Sequence, residues 1–136
     1  MKRRVHAAVV CGLVSCAAAV PAWAHHSFAA AYDTTDAVTV RGTIVEVRLT
    51  NPHSWFFLDV ENDAGEVERW SFEAGTPSGM IRNGFRRDEI TAGAEVTISG
   101  FRARDPAQTV GMLRELVTSD GTVYGMFGPQ EGPAAR

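Results

Sequence analysis

Apolar and polar residues alternate in short runs along most of the chain beyond residue 37, a period-two pattern that predicts strands rather than helices. Val38, Val40 and Ile44 share one parity, whereas Val45, Val47 and Leu49 share the other. The apolar face therefore switches around residues 42–44, and a strand that changes face needs a bulge or a sharp coil. Residues 54–60 (SWFFLDV) predict a second strand and residues 67–73 (VERWSFE) a third, joined by a turn that contains Asp63 and Gly65. Gly75, Pro77, Gly79 and Gly84 punctuate the next stretch, so residues 74–84 read as a loop with at most a short helix around Met80 and Ile81. Alternation returns where Ala94, Val96 and Ile98 interleave with Glu95, Thr97 and Ser99. A loop at residues 105–108 leads into a strand over residues 110–118, and the turn at Ser119, Asp120 and Gly121 into a short last strand near Val123 and Tyr124.

Three meander strands, a kinked first strand, a connection with room for one helix and two or three further strands is the element order of a small OB-type barrel. The expected fold class is all-β: a five- or six-stranded OB-type barrel with at most one short helix. A six-stranded sandwich is the alternative. The expected domain runs over residues 25–127, and residues 128–136 (GPQEGPAAR) read as a loose tail with few groups able to dock.

The first 24 residues follow a different logic. Lys2, Arg3 and Arg4 precede a 16-residue apolar run over residues 5–20, and Ala22 and Ala24 flank Trp23 as a small-x-small cleavage site. That order is a signal peptide. The run is shorter than the roughly 20 residues a membrane-spanning helix needs. Cleavage after Ala24 would make His25 the first residue, in a periplasmic or secreted protein. A rival cut would lipidate Cys16, since Leu13, Val14, Ser15 and Cys16 resemble a lipobox. The site after Ala24 is preferred because it falls where apolar sequence gives way to HHSFAAAYDTTD, while Cys16 lies inside the apolar run.

Removing 24 of the 136 residues leaves 112, enough for one domain with a sizeable core. Both cysteines, Cys11 and Cys16, belong to the signal, so stability must come from packing rather than disulfides. Ten arginines then face 16 acidic residues for a formal charge of −6, and no basic stripe is visible. A nucleic-acid partner is therefore not expected.

The candidate chemistry is histidine chemistry. After cleavage three histidines remain, His25, His26 and His53. His25 would carry a free α-amine and an imidazole on one residue, a ready chelate for Cu(II). His26 adds a nitrogen beside it, and His53, in the turn TNPHSW, supplies a third imidazole if the fold brings that turn to the N-terminus. Imidazole-rich nitrogen sets suit Cu(II), Ni(II) and Zn(II), with Cu(II) first in intrinsic affinity. The plain alternative is that the paired N-terminal histidines are solvated and His53 only shapes its turn. Trp55 and Trp70, near Phe56, Phe57 and Phe72, read first as core, and second as a ligand-binding face with Glu73 and Arg69 beside it. Met80, Met112 and Met126 read as core fillers. No nucleophile elbow or carboxylate pairing is recognisable.

His25 to Asp33 (HHSFAAAYD), the segment VRGTIVEVRLTNPHSW, the stretch WSFEAGTPSGMIRNGFRRDEI and the segment AGAEVTISGFRAR together resemble a group of short exported bacterial proteins classed as a domain of unknown function. The matching positions are His25, His26, Phe28, Asn51, Pro52, His53, Trp70, Phe72 and Glu73. The group places HHSF directly after its signal, which implies the cut at Ala24. Its members carry a tryptophan where this chain has Phe85. The resemblance implies export and architecture but no activity. A looser likeness is to small periplasmic OB-barrel copper chaperones, although this chain lacks their closely spaced methionine pair.

Three functions are in play. The first is a non-catalytic periplasmic protein that captures a transition metal, copper foremost, through His25, His26 and His53. The second is a metal-free OB-type module that binds a saccharide, a peptide or an envelope protein partner over the Trp55 and Trp70 face. The third, an oxidative copper-brace enzyme built on an N-terminal histidine, ranks last because 112 residues with few loops leave little room for a broad substrate surface.

Overall fold

The computed structural model describes residues 30–125. The expected signal segment 1–24, His25, His26, Phe28, Met126 and the expected tail at residues 128–136 lie outside the described residues. Six strands and a short helix follow in the order β1 (Tyr32–Arg48), β2 (Trp55–Glu61), β3 (Val67–Glu73), α1 (Pro77–Arg82), β4 (Glu95–Ala103), β5 (Val110–Thr118) and β6 (Val123–Gly125).

Strand alternation builds the interior. Phe56, Leu58 and Val60 of β2 and Trp70 and Phe72 of β3 are buried on one face, with Trp55, Phe57, Asp59, Arg69, Ser71 and Glu73 on the other. The turn between these strands is organised by Asn62 rather than Asp63. Its side-chain Oδ1 accepts from the backbone N–H of Ala64 at 3.0 Å and of Glu66 at 2.9 Å. Gly65 takes the left-handed conformation there (φ 78°), which costs glycine no steric clash.

β1 is the spine, paired with β2 on one side and β4 on the other. Its predicted change of face is present as a register shift between Ile44 and Glu46, which leaves Val45 as the extra residue against β2. Gly42 lets β2 come close, because a Cβ at that position would stand 2.4 Å from the Asp59 carbonyl oxygen.

The sheet order is β3-β2-β1-β4-β5-β6, and a parallel pairing of β3 with β5 turns it into a ring. Ser71, Phe72 and Glu73 lie opposite Val110, Gly111 and Met112. Thr109 reinforces the junction, its hydroxyl donating to the Arg69 carbonyl at 2.7 Å while its own carbonyl accepts from the Ser71 N–H at 3.0 Å. The ring order β1-β2-β3-β5-β4, with the helix between β3 and β4, is the OB-type arrangement, and it excludes two separate sheets. Thr76 caps α1, its hydroxyl accepting from the Gly79 N–H at 3.1 Å with Pro77 at the first helical position. Met80, Phe85 and Ile90 then close one end of the core. The Phe85 ring meets Phe56 edge-on and packs against Tyr124, with centroids 5.7 Å apart in each pair.

Ser54 is fully buried and its hydroxyl has no hydrogen-bond partner. A buried unpaired hydroxyl costs about 1–3 kcal/mol of desolvation. Ser54→Ala is therefore expected to leave the melting temperature unchanged or raise it, and a clear fall would show that the hydroxyl is satisfied in solution.

A polar cluster at one end of the ring

The β1–β2 turn is pinned to the end of β3. The Thr50 hydroxyl donates to the His53 carbonyl at 3.0 Å. The Ser54 N–H donates to Gly75 O at 3.0 Å and the Ala74 N–H to Ser54 O at 2.8 Å, so pairing continues one step past Trp55 and Glu73. This holds His53 directly over the last residue of β3.

His53 Nδ1 contacts Glu73 Oε1, and the phenol of Tyr32 donates to Glu73 Oε2. Tyr32 opens β1 and reaches Glu73 from the β4 side, where its backbone partner is Ala103. One carboxylate thus ties together the β1–β2 turn, the end of β3 and the start of β1. Burial falls along the cluster: Tyr32 is 4% exposed, the Glu73 side chain 14% and the His53 side chain 34%. A partly buried carboxylate is tolerable where each oxygen has a hydrogen-bond donor, as here. His53 is the member that meets solvent.

Burial raises the Tyr32 phenol above the usual tyrosine range, and the hydrogen bond and charge of Glu73 raise it further. Burial likewise lifts Tyr124 to about 12, again with a carboxylate, Glu89, as its acceptor. These are the only two tyrosines of the chain. Above pH about 10 the unfolded chain releases phenolic protons that the folded protein retains. Stability is therefore whole below pH about 10 and falls as the pH climbs through the value of about 12 at Tyr124. Tyrosinate absorbance should rise late and together with unfolding. Ionisation of either tyrosine near pH 10 in a still-folded protein would contradict this.

Trp55 and Trp70 do not share a face. Trp55 lies opposite Glu73 on the outer face, half-buried, its ring 6.4 Å from that of Phe57. Trp70 lies opposite Leu58 on the inner face, 5% exposed, stacked on Phe72 at 5.7 Å beneath the Arg102 guanidinium. The expected single aromatic face is thus two surfaces, because opposite residues of β2 and β3 pair Trp55 with Glu73 and Leu58 with Trp70. Arg69 is also on the outer face, bound to Asp59 at 2.7 Å rather than to Glu73.

Of the sequence-derived candidates, the structure brings His53, Glu73 and Trp55 together and places Trp70 elsewhere. Among the described residues no group of three or more His, Cys, Asp or Glu side chains is arranged to hold a metal ion. His25 and His26 lie outside the described residues. Tyr32 is the member that sequence reasoning missed, since it stands 41 residues from Glu73 and no spacing signals the contact.

No helix among the described residues is long and apolar enough to cross a membrane. A family model described as a family of unknown function (DUF6152) matches residues 12–112, which include every member of the polar cluster. Neither the curated proteins nor the solved structures contain a match to the chain.

Proposed function

The chain belongs to the DUF6152 family, and from that premise and the cluster geometry we propose that it is an exported, non-catalytic protein that captures a transition metal, foremost Cu(II), through His53 with His25 and His26. One observation carries the proposal: the His53 imidazole is partly solvent-exposed and its Nδ1 is held by a carboxylate. A carboxylate accepts and cannot donate, so Nδ1 carries a proton at this contact. This is the support that metal-ligating histidines have, their second ring nitrogen bonded to a carboxylate or carbonyl that fixes tautomer and orientation.

The remaining donors would come from the N-terminus. Signal cleavage after Ala24 creates the α-amine of His25, so export and ligand formation are one event. The resulting set, an amine and imidazoles, is a nitrogen set of the kind Cu(II) prefers.

A metal-free interaction module is the second reading, and the outer face of β2 favours it. Trp55 and Phe57 stand there half-buried, with the Arg48 guanidinium 4.7 Å from the Phe57 ring. Mass measurement of the protein purified from its native envelope separates the two. The unfolded mass should correspond to a chain beginning at His25, and the native mass should exceed it by a bound metal. A lipidated Cys16, or native and unfolded masses that agree, would favour the second reading.

A further inference from the structure

We propose that a groove between the second half of β1 and the connection from α1 to β4 is a binding site for a small amphipathic carboxylate, one alkyl chain with one acid head. The site shares no residue with the polar cluster and does not depend on the metal reading.

The groove follows from where strand pairing stops. β1 pairs with β4 only as far as Thr43. One further backbone exchange ties it to the connection, in which the Ile44 N–H donates to Ala94 O and the Gly93 N–H to Ile44 O, both at 2.8 Å. Among the described residues no backbone hydrogen bond joins residues 45–49 to the connection, so the two segments part and leave a cleft of about 370 Å³. Small-molecule sites run from about 300 to 1,000 Å³ and are mostly apolar with a few placed polar groups. Val45, Val47 and Leu49 line this cleft half-buried, beside Phe85 and Ile90 from the core. An alkyl chain lying there would take the remaining apolar surface of the three β1 residues out of water.

Charge selects the head group. Arg41, Arg48, Arg69, Arg86 and Arg102 each form an ion pair with a carboxylate. Arg87 lines the cleft, is exposed and has no ion pair among the described residues. Glu46 is the only acid lining the cleft, and Arg48 already holds it through hydrogen bonds of 2.6 and 2.9 Å. It therefore neither pairs with Arg87 nor stands as an uncompensated charge against an anion. A guanidinium presents its N–H groups as a planar fork that fits a carboxylate. Arg86 is committed to Glu89 at 2.9 Å, so the cleft offers one cation and suits a monoanion.

Amide NMR titration of the protein with octanoate, and separately with octanol, tests the proposal. Octanoate should give saturable shifts confined to Val45, Val47, Leu49, Ile90 and Thr91, and octanol the same pattern at lower affinity. Arg87→Gln should weaken octanoate roughly fivefold, the upper end for an ion pair that water still reaches, and bring the two probes to equal affinity. Arg82→Gln removes an exposed arginine that does not line the cleft and should change neither. Ala92→Trp, which fills the cleft from its rim, should abolish both. Octanoate shifts that are scattered or never saturate, octanol binding as tightly as octanoate in wild type, or equal losses in Arg82→Gln and Arg87→Gln would overturn the proposal. So would binding of an N-acetylated tripeptide ending in leucine where octanoate does not bind, because the occupant would then be a peptide terminus.

Discussion

Trp70→Ala is expected to cost about 3–5 kcal/mol, the range for truncating a large buried aromatic. Trp70 is 5% exposed, stacks on Phe72, lies opposite Leu58 in the ladder and carries the Arg102 guanidinium 5.0 Å over its ring. Removing the indole opens a void beside side chains that are 0% exposed, Phe72 and Leu58. Domains of this size have only about 5–15 kcal/mol in total, so the variant should stand close to unfolding. Trp55→Ala, on the outer face, should cost about 1 kcal/mol, the centre of the range for single substitutions. Urea unfolding midpoints of the two variants make the comparison. Equal losses would contradict the assignment of the two indoles to opposite faces.

That assignment was available in the sequence through parity. Phe56, Leu58, Val60, Trp70 and Phe72 are the even-numbered apolar residues of β2 and β3, and all are buried. Grouping Trp55 with Trp70 by residue type hides the pattern, because a tryptophan outside the core looks like one within it. Strands β2 and β3 were legible as short runs rich in aromatic and β-branched residues on either side of a turn. The start of β1 was not. Residues 33–37 are polar or small and mostly exposed, so nothing in their pattern marks a strand. Only backbone pairing with β4, irregular between Tyr32 and Ala37, makes one of them. The bulge was visible as a change of parity but was placed at residues 42–44, and the extra residue is Val45. Ring closure was less visible still, since it rests on three residue pairs between β3 and β5 and on a glycine, Gly111, whose Cβ would stand 2.6 Å from the Phe72 ring.

The site was legible in parts. His53 and Glu73 each drew attention, His53 for its turn and Glu73 for its place beside Trp70. Their contact depends on the register that sets Trp55 opposite Glu73, and register follows from the Asn62-centred turn rather than from either residue. Tyr32 gave no signal at all, being a single aromatic residue at the edge of a polar run. What joins the three is topology: the ring brings the start of β1 and the end of β3 to the same place.

The largest effect on binding is expected from one added residue before His25. In the processed chain the α-amine and the imidazole of residue one close a small chelate on a single metal. An extra residue moves the amine away and converts the original nitrogen to an amide, while His26, His53 and the cluster around Glu73 are untouched. Affinity for Cu(II) should fall by at least tenfold, about 1.4 kcal/mol. His53→Ala removes a different nitrogen and should weaken binding by a similar factor. It also leaves Glu73 without one of its two donors, so folding of that variant should be verified by its unfolding midpoint.

Titration of the processed chain, the chain with one added residue and His53→Ala with Cu(II) tests metal capture most directly. The pH must be matched, because protons compete for the amine and for the imidazoles. Trp55, opposite Glu73 on the outer face, provides a fluorescence reporter close to the proposed site. Tight binding by the processed chain, with both altered forms at least tenfold weaker, is the predicted result. Equal affinities in all three would contradict metal capture and leave the metal-free interaction module as the better account.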